Sequence, residues 1–135
     1  MHTSIINQDW AILIIRLILG SVFILHGGQK MFGWLGGSGL QGWLGYMASL
    51  QIPTLIAYLP PFIEFFGGLC ILLGIAAEVG AFGLLAVMLV GIYLVHWDKG
   101  YFSQNGGYEY ALNLALLCLA IILAGSGPLS LWNLR

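Results

Sequence analysis

The sequence is short of charge. Only 7% of its 135 residues are Asp, Glu, Lys or Arg, where a soluble domain carries about 25%. So few ions cannot clothe a water-facing surface, which excludes an ordinary soluble fold. Four basic and five acidic residues leave a net charge of −1. With no basic excess to attract a polyanion, nucleic acid is excluded as a partner. Cysteine is scarce too. Cys70 and Cys118 stand alone in separate apolar runs, with neither the CxxC redox spacing nor a zinc pattern, and read as small buried hydrophobes. The N-terminal stretch also lacks a basic n-region and a small-residue cleavage site. The first apolar run is therefore expected to stay in the membrane.

What the chain has in abundance is apolar side chains, 60% of the total. A membrane-crossing helix needs about 20 mostly apolar residues. Four stretches qualify, at residues 10–32, 55–76, 79–97 and 108–124. Short connections make neighbouring spans antiparallel. The expected fold is an all-α membrane protein, one domain over residues 1–135, built as an antiparallel four-transmembrane-helix bundle. Pro60-Pro61 leaves two starts for the second span. Either a helix beginning near Pro53 kinks there, or the prolines open the helix at its first turn. Between the first two spans, over residues 39–51, Leu40, Trp43, Leu44, Met47 and Leu50 fall at helical spacing. Gln41, Tyr46, Ser49 and Gln51 take the other side, so this segment reads as a short helix in the interface plane. Lys30 and Lys99 on one side against Arg135 on the other are too few charges to set an orientation.

Each ionisable residue within a span costs about 2.5–3.5 kcal/mol on the insertion scale and needs a reason to be there. The chain carries Arg16, His26, Lys30, Glu64, His96 and Glu109. Arg16, Gly20, Phe23, Gly27 and Lys30 recur on one face of the first helix, with His26 beside them. Tyr93 and His96 lie one turn apart at the end of the third span, and Glu109 and Asn113 open the fourth. The first and third spans run toward the same surface, so His26, Lys30, His96 and Glu109 converge there. Arg16 lies about 15 Å deeper than His26, at about 1.5 Å per residue, and Glu64 is its available counter-ion. The convergence predicts a polar pocket at one end of the bundle. In it Glu64, His96 and Glu109 are the candidate catalytic groups. Arg16, His26, Lys30, Tyr93 and Asn113 are the candidate substrate-binding groups.

The stretches "RLILGSVFILHGGQKMFG", "IEFFGGLCILLG" and "HWDKGYFSQNGGYEYALN" on four short helices resemble the DoxX family of small bacterial inner-membrane proteins. The motifs are specific jointly: Arg16, the His26–Lys30 end of the first helix, Glu64 with Gly67-Gly68, and His96 with Gly100, Phe102 and Glu109. The resemblance implies a multi-pass protein of the bacterial cytoplasmic (inner) membrane. Its name comes from subunits that resemble a thiosulfate:quinone oxidoreductase. Other members are described as oxidoreductases or linked to a membrane complex with superoxide dismutase and a sulfurtransferase, and distant relatives serve in membrane assembly.

Two functions compete. In a quinone-linked redox protein, His26, Lys30 and His96 would bond the headgroup, Glu64 or Glu109 would pass protons, and the helix interior would take the isoprenoid tail. No flavin or iron–sulfur motif supplies electrons, so the substrate or a soluble redox partner must. In a non-catalytic scaffold, the polar cluster fixes the bundle and the Trp-rich segment docks soluble enzymes. Less favoured are a haem on His26 and His96, and a non-haem metal on His26, His96 and Glu109. No metal is assigned. Glycine-lined faces suit a homo-oligomer or the packing of the bundle itself.

Overall fold

The structure is a computed structural model describing residues 2–134, with side chains described for residues 7–132; Arg135 lies outside the described residues. The described chain is helical. Its elements are α1 (His2–Phe32), α2 (Gly39–Ser49), α3 (Thr54–Ala57), α4 (Leu59–Leu73), α5 (Ala77–Gly91) and α6 (Glu109–Ala124). Helix α5 continues through a π turn, Ile92–His96, and a 3-10 turn, Trp97–Lys99. Three segments are long and apolar enough to cross a membrane: Asn7–Phe32, Thr54–Leu73 and Ala77–Lys99. Helix α6 is apolar but shorter, at 16 residues.

Local chemistry explains the breaks. Helix α1 runs 31 residues without a proline and stops at Gly33, whose φ of 75° is left-handed. The prolines resolve between the two readings of the sequence. A helical path does begin just after Pro53, as α3, then breaks at Tyr58, and Pro60-Pro61 sit in the first turn of α4. Helix α4 ends at Leu73, three residues before the expected boundary. There Gly74 turns left-handed, its N–H bonds to the Ile71 carbonyl, and Ile75 bonds back to Cys70. This double closure is a Schellman motif, and Ala76 at φ 50° completes the tight reversal into α5.

Helix α1 packs on α4, α4 on α5 and α5 on α6, while α1 also meets α6 and α2 lies on α1 and α3. Two glycine contacts set the closest approaches. A Cβ on Gly68 would stand 2.9 Å from the Gly20 carbonyl, and one on Gly80 would stand 2.8 Å from that of Gly67. Small residues thus let the backbones nearly touch. Leu19 and Phe23 of α1, Ile71 of α4, Ala81 and Leu84 of α5, and Leu114, Cys118 and Ile121 of α6 fill the interior. The outer faces are as apolar as the core: Ile18, Phe66, Val79, Phe82, Leu116 and Leu123 are exposed. Contiguous apolar surface of this kind needs a covering, and on helices of this length lipid is the physical match.

Candidate functional site

Away from the α4–α5 turn, the helices enclose a cavity of about 470 Å³. Each element contributes by its period. Phe23, His26 and Lys30 lie at i, i+3 and i+7 on α1, and Leu59, Pro60, Ile63 and Glu64 share one face of α4. The wider π turn after α5 brings Leu94, Val95 and His96 to the wall, and π turns recur at functional sites. Tyr110, Ala111 and Leu114 come from α6. Trp43, Tyr46 and Met47 of α2, with Leu50 just after it, close the cavity from above.

The wall is apolar except at one end, where the polar groups are already paired. The Lys30 ammonium lies 2.6 Å from both oxygens of Glu64. The two partners differ in setting: Glu64 is 2% exposed, Lys30 22%. A carboxylate this deep is tolerable only with such a partner. The ammonium also sits 4.6 Å from the centre of the Trp43 ring, a cation–π contact, and the Trp43 indole donates to the Ala57 carbonyl at 2.8 Å. One ion pair therefore ties α1 to α4 and, through Trp43, holds α2 in place. His26 Nε2 and the Tyr110 hydroxyl stand 3.4 Å apart across α1 and α6. His96 Nδ1 lies 2.8 Å from the Gly106 carbonyl. A carbonyl only accepts, so Nδ1 carries the proton and Nε2 is the ring nitrogen left free.

Glu64, His96, His26 and Lys30 are thus brought to one cavity. Four other candidates are not. Arg16 does not pair with Glu64. Its guanidinium donates to the carbonyls of Ile71 (2.9 Å), Leu72 (3.1 Å), Ser126 (3.0 Å) and Leu129 (2.7 Å), outside the cavity wall. The expected counter-ion is replaced by the negative end of the α4 dipole and the loop that follows α6. Glu109 turns back on its own loop, accepting from the Ser103 N–H and hydroxyl at 3.2 Å each, so it leaves the cavity and cannot complete the metal set with the two histidines. Among the described residues no three His, Cys, Asp or Glu side chains gather as a metal site requires. Tyr93 is 78% exposed and Asn113 is exposed, neither on the cavity wall. Glu109 and Asn113 lie on a face of α6 that does not line the cavity. The neighbouring face carries Ala111 and Leu114, and Tyr110, which sequence reasoning missed, enters with it. Trp43 was read as an apolar stripe residue, although its indole N–H signalled a need for a partner. Tyr46 was put on the polar side of that segment, yet it lines the cavity.

The family model for DoxX matches residues 11–97 of this sequence. The chain belongs to the DoxX family. That match takes in Arg16, His26, Lys30, Glu64 and His96, while Tyr110 lies beyond it. The Bacillus subtilis (strain 168) protein named "Putative oxidoreductase CatD" is 31% identical over 109 residues, covering 81% of this DoxX chain and 76% of that protein. No solved structure is significantly similar to it.

Proposed function

We propose that this DoxX protein is a quinone-linked oxidoreductase component of the bacterial cytoplasmic membrane, with α6 as a fourth antiparallel span. The observation that carries the reading is the shape of one cavity: an apolar volume of about 470 Å³ with its hydrogen-bonding groups at one end. A membrane quinone asks for the same division, a polar headgroup and a hydrocarbon tail. The volume is within the roughly 300–1,000 Å³ typical of ligand sites. The oxidoreductase name of the Bacillus relative supports the redox class.

A bound quinone would accept two electrons and two protons and leave as the quinol, the electrons coming from a reduced-sulfur anion or a soluble redox protein. The chain's own residues bind and move protons. The Tyr110 hydroxyl and the His26 ring donate to headgroup oxygens, and the Lys30 ammonium holds positive charge beside them. The free Nε2 of His96, with Nδ1 anchored on Gly106, takes or returns a proton. The Lys30–Glu64 pair fixes the cavity's polar end, and α2 keeps water from it. The runner-up, a non-catalytic scaffold for soluble redox enzymes, draws on the pairing itself, since no described buried side-chain polar atom lacks a partner.

The test is protein purified in mild detergent, with its organic extract analysed by mass spectrometry and the depleted protein then offered quinone. The account expects a bound quinone in stoichiometric amount, restored on adding it back and retained in smaller amount by the variant carrying His96→Ala and Tyr110→Phe together. An empty extract with no uptake on addition would move the assignment to the scaffold.

A further inference from the structure

The cavity wall has an unequal rim. At the α4–α5 turn the two helices pack tightly, with Gly67 against Gly80 and then Ile63 against Gly83. Each further turn away replaces a glycine contact with bulk. Further from the turn the wall is lined by Leu59, Pro60, Ala86 and Val87, and then by Ile56 and Val90. All of these line the cavity, yet Ile56, Leu59, Ala86, Val90 and Leu94 are also exposed on the outside of the protein. A residue that both lines a cavity and faces outward marks its mouth. Tyr46, Leu50 and Tyr110, which also line the cavity and are exposed, form part of the rim. The rest, between α4 and α5, is aliphatic and lies within the two segments Thr54–Leu73 and Ala77–Lys99, both long and apolar enough to span a membrane. Gly91 stands in it with open space around it: a Cβ added there would meet nothing within 4 Å.

We propose that the cavity is loaded sideways from the bilayer, through the gap between the N-terminal half of α4 and the C-terminal half of α5. The gap admits a single hydrocarbon tail, while the polar head goes to the end formed by Lys30, Glu64, His26 and Tyr110. This rests on the quinone reading for the identity of the head, but not for the existence of the gap. Apolar rims facing lipid cost nothing to enter for a chain already in hydrocarbon, whereas a route under α2 would drag the tail past the paired charges of Lys30 and Glu64.

The experiment uses the full chain in phosphatidylcholine nanodiscs holding a single-chain fatty alcohol with a diazirine near the end of its tail. After illumination, mass spectrometry maps the labelled residues. Label is expected on the inner wall, at Ile63, Val87 and Leu114, as well as on outward-facing Phe66 and Phe82. In Gly91→Phe, whose ring would occupy the open space, the inner-wall label is expected to be lost and the outer label kept. Ala86→Phe, on the same rim, serves if the first variant fails to fold. Inner residues unlabelled in the unaltered protein, or labelled equally in the plugged variants, would overturn the proposal. Excess short-tailed quinone separates the two ideas. If it displaces the inner label, head and tail belong to one ligand. If label persists, the side entrance stands and the quinone reading falls.

Discussion

Lys30 and Glu64 answer a question of cost. Neither charge is supportable alone at this depth, and the pair is supportable because both carboxylate oxygens reach one ammonium at 2.6 Å. Removing one member of a buried pair costs about 3–5 kcal/mol, while replacing both by apolar residues is often neutral. Lys30 keeps some solvent access, so the lower end applies. Glu64→Ala should therefore cost about 3 kcal/mol in SDS-unfolding measurements, and Lys30→Met combined with Glu64→Leu should recover most of it. Recovery would mark the pair as dispensable for folding and leave ligand binding as its reason to exist. Tyr110 tests the opposite regime. It is half-exposed and among the described residues its hydroxyl meets His26 alone, so Tyr110→Phe should leave stability unchanged. Loss of one neutral hydrogen bond, about 1 kcal/mol, should weaken quinone binding about fivefold. A stability loss equal to the affinity loss would make Tyr110 a structural residue.

At the scale of elements, Arg16 is the main lesson. Its fork joins the end of α4, at Ile71 and Leu72, to the segment after α6, at Ser126 and Leu129. It thereby fastens the end of the molecule opposite the cavity. Arg16→Met removes its hydrogen bonds to four carbonyls, of which Ile71 keeps the Gly74 N–H, at about 1–3 kcal/mol for each carbonyl left buried without a donor. It should sharply lower unfolding resistance while leaving the ligand affinity of the surviving folded protein unchanged. Arg16→Lys should recover little, because an ammonium lacks the planar fork that reaches four acceptors. A variant that folds normally but loses binding would put Arg16 back in the site. The same residue shows what a sequence hides. Positive charge in a span announced a partner, but backbone carbonyls have no letter, so the most available acid, Glu64, was assigned to it. Helix periodicity placed α2, the end of α1 and the span from α5 through its closing turns within two residues, missed the start of α1 by eight, and brought Glu64, His26, Lys30 and His96 to one cavity. It failed on α6. Glu109 and Asn113 were chosen as polar, while the cavity takes the face with Tyr110 and Leu114, and nothing in the letters separates faces about 100° apart on a nearly uniform helix.

At the scale of the whole molecule, the chain inverts a soluble protein. Its ion pair, His26 and His96 line the cavity, and Phe62, Phe66, Phe82, Leu116 and Leu123 face out. Lipid resolves the outer surface, and the cavity between α4, α5 and α2 is the interior's unfilled volume. Helix α6, at about 24 Å by its rise per residue, is shorter than the roughly 30 Å hydrocarbon core, so as the proposed fourth span it would rely on α1 and α5 and on a locally thinned bilayer. The central claim is that the cavity's polar end receives a quinone headgroup. Its most direct test is equilibrium titration of a short-tailed quinone into the protein in nanodiscs, beside a variant carrying His96→Ala and Tyr110→Phe together. The account predicts saturable binding of one quinone per chain, with the affinity of the double variant at least about tenfold weaker and its fold intact. Non-saturable partitioning that is the same in both proteins would contradict it.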